Sequence, residues 1–243
     1  MECCLKFVIC SVLLCLSSFV QAEVNFNFPT RVYINENADW NIYYEAEMKR
    51  VNPKLAQDAL VKLSNTLKHI ESQLPASSIS KLKTVKIFLL WGEKSSFGGL
   101  SSGMRYVRKG ETKFRLHYDK RWENGIVIYS AENLLYLDAL WSRKAITHEF
   151  AHAWHILHWS ENHHDIVTPW QQAKTNNLYR NVKDYKGRVK QEAYALQNNL
   201  EYFAELSAIY FVGGDYFPYA KEGLAKYDPS GVKMVKKLWG VKD

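Results

Sequence analysis

The sequence predicts an α+β fold in two lobes, and three observations carry the prediction. Short apolar runs bounded by turn residues, which read as strands, all fall before residue 130. From residue 142 onward apolar residues recur mostly at three- and four-residue steps, the period of amphipathic helices. The chain has 243 residues, 47% hydrophobic and 23% charged, with 12 Gly and 6 Pro. That composition suits one globular domain and excludes disordered, collagenous and low-complexity chains. Strands first and helices second assign a mixed sheet to an N-terminal lobe, 23–158, and mostly helices to a C-terminal lobe, 159–243. A cleft is expected between them.

In order along the chain, residues 1–22 read MECCLKFVICSVLLCLSSFVQA. Lys6 precedes an apolar run, and Val20-Gln21-Ala22 supplies small residues for a cleavage site. We expect a signal peptide, too short to span a bilayer, and therefore a secreted chain beginning at Glu23. A strand at 31–34 is followed by a helix at 53–74, whose Ala56, Leu60, Leu63, Leu67, Ile70 and Leu74 share one face. Pro75 stops that helix, and 85–91 reads as a buried strand. The glycine-rich turn 98–103 leads into a strand at 104–107. Further strands are expected at 114–118 and, after Asn124-Gly125, at 126–129. Helices are expected at 142–159, 169–177, 191–212 and 232–238. Thr168, Pro169 and Gln171 form a capping-box start for the second of these.

Charge and cysteine usage narrow the function. The formal net charge is +7, and Glu2 leaves with Lys6, so the expected mature charge is the same. The basic residues are dispersed; the dense spots at 81–86 and 233–237 read as solvated faces, and no nucleic-acid reading motif is present. No nucleic-acid partner and no membrane span in the mature chain are expected. All four cysteines (Cys3, Cys4, Cys10, Cys15) lie within 1–22. The expected mature chain therefore has no thiol nucleophile, disulfide or cysteine-ligated zinc. There is no Asn-x-Ser/Thr sequon either.

The chemistry concentrates in His148-Glu149-Phe150-Ala151-His152. Positions i and i+4 of a helix share a face, so both imidazoles can reach one metal ion. Glu149 points to the adjacent quadrant, where it can take a proton from water at the metal. A catalytic zinc site needs a third protein ligand, and the sequence offers two. His158 follows the metzincin spacing, but His155 stands where metzincins carry the glycine that breaks the helix. An unbroken helix holds His158 about 15 Å from His148. The alternative is the segment 194–211, in which Tyr194, Asn198, Glu201 and Glu205 fall at steps of four, three and four. On a continuous helix these make one polar face among apolar neighbours.

HEFAH followed some fifty residues later by YALQNNLEYFAE resembles the gluzincin metallopeptidases. It looks most like the group of the anthrax lethal factor catalytic domain and the Pro-Pro endopeptidases. The likeness covers residues 125–243, including Gly214-Asp-Tyr-Phe-Pro-Tyr219. It implies a zincin-like fold, one catalytic Zn²⁺ ion, and Glu201 as third ligand beside His148 and His152. It further implies Glu149 as general base, Tyr194 as hydrogen-bond donor to the transition state, and Glu205 as support for the metal ligands. The implied activity is peptide-bond hydrolysis, as an endopeptidase acting on a peptide or protein substrate, and a monomer is expected. An edge strand, 104–107 or 114–118, would pair with extended substrate. Two rival functions use the same residues: a zinc-binding pseudoenzyme, and a secreted effector or toxin. Retention of Glu149 argues against the first, because a purely structural site has no use for a base. His155 is expected to pack below the site, and His163-His164-Asp165 to form an exposed loop.

Overall fold

The computed structural model describes residues 31–37, 39–114 and 119–242. The expected signal peptide lies outside these residues, as does the expected strand 114–118 except for Phe114. Phe114 closes a short 3-10 turn, Glu111–Phe114.

Five strands form one mixed sheet: β1 (Tyr33–Asn37), β2 (Ile42–Glu45), β3 (Lys86–Leu89), β4 (Met104–Val107) and β5 (Gly125–Ile128). Their spatial order is β1-β2-β3-β5-β4. The pairs β2–β3 and β3–β5 are parallel, whereas β1 and β4 add antiparallel to the two edges. The side chains alternate as a pleated strand demands. Ile87, Leu89, Ile126 and Ile128 enter the large core beneath the helices, while Phe88, Leu90 and Val127 meet Trp122 and Tyr129 on the opposite face.

The parallel step from β2 to β3 needs a long crossover, and helices supply it. They are α1 (Ala46–Val51), α2 (Pro53–Gln73) and α3 (Ala76–Leu82). The apolar stripe of α2 is buried at Leu63, Leu67 and Ile70. Pro75 ends the preceding turn as expected, but the chain re-enters a helix at once, because Pro75 occupies the N-cap position of α3.

After β5 come α4 (Ala131–Tyr136), α5 (Ala139–His158) and α6 (His164–Thr175). The expected start at Thr168-Pro169 is not used. The helix begins five residues earlier, and Pro169 sits inside it on the buried side with Ile166 and Ala173. Proline there removes a single intrahelical hydrogen bond. The same start puts His164 and Asp165 in the first turn of α6 rather than in a loop.

The expected helix 191–212 is also corrected. Its first residues belong to a hairpin of β6 (Arg180–Lys183) and β7 (Val189–Glu192), followed by a 3-10 turn, Tyr194–Leu196. Asp184 explains the hairpin: its Oδ1 accepts from the backbone N–H of Lys186 and Arg188, and Gly187 supplies the positive φ. Only then does α7 (Asn199–Val212) begin, followed by α8 (Lys221–Tyr227) and α9 (Pro229–Trp239). Strands thus occur late and helices early, more interleaved than the sequence suggested, but the α+β class with a mixed sheet holds.

The segment feeding β4 depends on a close backbone approach. A Cβ on Gly99 would stand 2.7 Å from the carbonyl oxygen of Gly92. Because that neighbour is backbone, the loop itself would have to move. Gly99→Ala is therefore expected to destabilise the protein by about 1–3 kcal/mol, the usual cost of forcing extra atoms into a packed site. A shift in the urea midpoint measures it; an unchanged midpoint would show the loop to be yielding.

Candidate metal centre

Helices α5 and α7 pack against each other and supply the site. Asp138 caps α5 through a hydrogen bond from Trp141 N–H to Oδ1 at 2.8 Å. Largely apolar along its length, α5 buries His148, Glu149 and Phe150. Asn198 caps α7, its Oδ1 accepting from Glu201 N–H at 2.9 Å. This start places Glu201 at the third helical position and Glu205 one turn further on the same side.

Three donor atoms converge. His148 Nε2 lies 2.9 Å from Glu201 Oε2 and 3.0 Å from His152 Nε2, and His152 Nε2 lies 3.2 Å from Glu201 Oε2. Tetrahedral zinc with bonds of about 2.0–2.1 Å holds its ligand atoms about 3.3 Å apart, so this triangle has nearly the size such an ion imposes. His148 Nδ1 lies 2.9 Å from Glu205 Oε1, so a neutral ring that gives its Nδ1–H to Glu205 turns its Nε2 lone pair inward. A lone pair, a second imidazole nitrogen and a carboxylate oxygen at such range repel unless a cation sits among them. The donor set of two imidazoles and a carboxylate suits zinc.

In the metal-free group a proton on His148 takes the place of such a cation. Burial alone would lower the His148 pKa, but the Glu201 and Glu205 carboxylates outweigh it and push it up to about 10. Burial likewise works to raise the Glu201 pKa, and the two histidine rings overcome it, bringing the carboxyl down to about 2. Glu205 is held well below the usual carboxylate range, its burial outweighed by Lys144 and His148.

Glu149 stays outside the triangle. Its Oε2 accepts from the backbone N–H of Tyr106 on β4 at 2.6 Å. Tyr194 comes from the 3-10 turn rather than from a helix shared with Glu201, and reaches the site by a different path from the one expected. Its ring centroid is 5.7 Å from that of His148. The side chain is 49% exposed, and its hydroxyl pKa is pushed up to about 12 by partial burial and then by Glu201 and Glu149. It is therefore a protonated donor at neutral pH. A cavity of about 520 Å³ opens on the group, lined by His148, Glu149, His152, Tyr194 and Glu201 together with Leu100, Met104, Tyr106, Arg108 and Asn198.

The structure thus brings His148, Glu149, His152, Tyr194 and Glu201 to one cavity, with Glu205 behind His148. It does not bring His158 there. Helix α5 runs unbroken to His158, whose Nδ1–H is given to Trp154 O at 2.8 Å and whose Nε2 faces Lys81 at 3.2 Å. His155 packs in the core on the edge of Phe203 and donates to Ser160 O. At the start of α6, Asp165 is tied to Lys237 at 2.7 Å, a cation already in place beside His163 and His164.

Three participants escaped the sequence reading. The N–H of Tyr106 that holds Glu149 is a backbone group without a sequence signal. Lys144 and Asp215, which form a buried ion pair behind Glu205, read as ordinary polar positions. The α7 start did leave a mark: Asn198-x-x-Glu201 has the spacing of an N-cap with an acidic third residue. Comparison of the chain with protein-family models, curated proteins and solved structures finds no match.

Proposed function

We propose that this chain is a zinc-dependent metallopeptidase of the gluzincin type with a zincin-like fold, hydrolysing peptide bonds of a secreted enzyme's peptide or protein substrates. The observation that carries the reading is the convergence of His148 Nε2, His152 Nε2 and Glu201 Oε2 to within 3.2 Å of one another, with the Glu149 carboxylate beside them. His148, His152 and Glu201 would hold the ion and leave a fourth position open toward the cavity.

Zinc, when bound, polarises a scissile carbonyl and acidifies water. The chain's own groups do the rest. Glu149 takes the proton of the attacking water and returns it to the leaving amine. The backbone N–H of Tyr106 aims its carboxylate. Tyr194 donates from its hydroxyl to the oxygen on which negative charge develops. Glu205 keeps His148 in the tautomer whose Nε2 is free to bind metal.

Strand β4 supplies the bench for the substrate. Gly103 O and Val107 O both accept hydrogen bonds from the β5 side, from Tyr129 N–H and Asn124 N–H. The alternation of an antiparallel ladder then turns the backbone groups of Met104 and Tyr106 away from β5, along the edge that borders the cavity; Glu149 takes the Tyr106 N–H, which leaves the Met104 N–H and C=O and the Tyr106 C=O for a peptide. An extended peptide adding to that edge would run past Glu149 and Tyr194.

The test is incubation of the chain from Glu23 onward with a complex peptide library. Cleavage is expected, abolished by a chelator and restored by added zinc, with the cut sites reporting the subsite preference. Zinc binding without cleavage of any peptide would overturn the peptidase reading in favour of a binding protein.

A further inference from the structure

Behind the metal ligands a row of charges continues from Glu205 through Lys144 and Asp215 to Lys190, and the proposed chemistry uses none of them beyond Glu205. Glu205 divides its two oxygens: Oε1 accepts from His148, and Oε2 accepts from Lys144 Nζ at 3.0 Å. Lys144 Nζ also reaches Asp215 Oδ1 at 2.5 Å, and Asp215 Oδ2 accepts from Lys190 Nζ at 2.9 Å. Lys144, Glu205 and Asp215 are all buried; Lys190 is one third exposed and closes the row at the surface. The centre of the fully buried Tyr216 ring is 5.2 Å from each of the two ammonium groups.

Such an arrangement is expensive without a purpose. Each buried charge loses its hydration, and an ion pair of this depth is on average no more stabilising than apolar residues of the same volume. Its geometry is directed. Lys144, His148 and His152 follow one another at four-residue intervals along α5, so the lysine stands one turn behind the ligands on their own face. Glu205 on α7 bridges that turn, touching Lys144 and His148 at once. Asp215 arrives from beyond the end of α7 and pins the lysine from its far side.

We propose that Lys144, anchored by Asp215, is a positioning residue for the metal centre: it fixes the second oxygen of Glu205, so that the first holds the His148 ring at the angle at which Nε2 faces Glu201 and His152. The inference rests on the zinc-site reading above. It predicts that removing the lysine loosens a ligand it never touches.

The test is a double-mutant cycle read by zinc affinity, from chelator competition, rather than by activity. Lys144→Met keeps the length and apolar body of the side chain and removes its charge. It is expected to weaken zinc binding by about tenfold, the low end of the cost of losing a ligand's direct outer partner, because it acts through that partner. In a Glu205→Gln background the same substitution is expected to change affinity by less than about twofold, because the group through which it acts has been altered. Unchanged affinity in Lys144→Met, or an equal fall in both backgrounds, overturns the proposal while leaving the zinc site standing. Absence of zinc binding by the unmodified chain overturns both. If Lys144→Met does not fold, Asp215→Asn, which keeps shape and removes the anchoring charge, takes its place in the same cycle. A loss that depends on Glu205 supports the proposal, and no loss refutes it.

Discussion

Glu149→Gln is expected to lower kcat by about 10²–10⁴-fold while leaving zinc content and stability unchanged, the range attributed to a positioned general base. The substitution preserves the shape of the side chain and an oxygen to accept from Tyr106 N–H, the hydrogen bond that Glu149 makes among the described residues. It removes only the ability to take up a proton. Glu149 is not among the three converging donor atoms, so metal affinity should be indifferent to the change. The check is kcat and KM on a peptide from the library, with zinc measured by atomic absorption. Retention of activity within tenfold would remove Glu149 from its role as base. Loss of activity together with loss of zinc would make it a ligand.

Glu201→Ala is expected to weaken zinc binding by more than the roughly 100-fold typical of an outer partner, and to abolish cleavage. The carboxylate is the only anionic member of the triangle, and without it two imidazoles on one helix must hold the ion alone. The fold should survive, because Asn198 caps α7 independently of the Glu201 side chain and the apolar body of that helix is buried. His158→Ala is the matched control, expected to leave zinc affinity unchanged since its ring is engaged with Trp154 and Lys81. Chelator competition measures both. Wild-type affinity in Glu201→Ala would sink the gluzincin reading, and a large loss in His158→Ala would place the third ligand on α5 after all.

The legibility of this chain in its sequence followed the range of the interactions concerned. The pairing of His148 with His152 is a property of helical geometry over four residues, and the structure preserves it on an unbroken α5. The strands at 104–107 and 126–129 were readable because turn residues, the glycine-rich run 98–103 and Asn124-Gly125, set off each short run. The run 191–198 was misread, because its spacing permits a helix and nothing local forbids one. Asp184 and Gly187 start the hairpin that takes the first two residues from it, and the cap at Asn198 delays α7. Tyr194 nevertheless reaches the cavity, since a 3-10 turn next to the N-terminus of α7 points it there. Its approach to Glu201 was foreseen from a face that does not exist.

By itself the sequence determined the α+β class, the two-histidine helix with its glutamate, and the four-residue step that sets Glu201 and Glu205 on one side of their own helix. Each of these is written in periods of two, three or four residues, which local backbone geometry converts directly into a shared face. Only the tertiary structure decided that Glu201, and not His158, closes the triangle, that the backbone of β4 holds Glu149, and that Lys144 and Asp215 meet behind Glu205. Those contacts join residues 43 to 71 positions apart. No local period encodes them; they exist because α5 and α7 must bury their apolar sides against each other and against the sheet, and in doing so bring their few polar groups to one point.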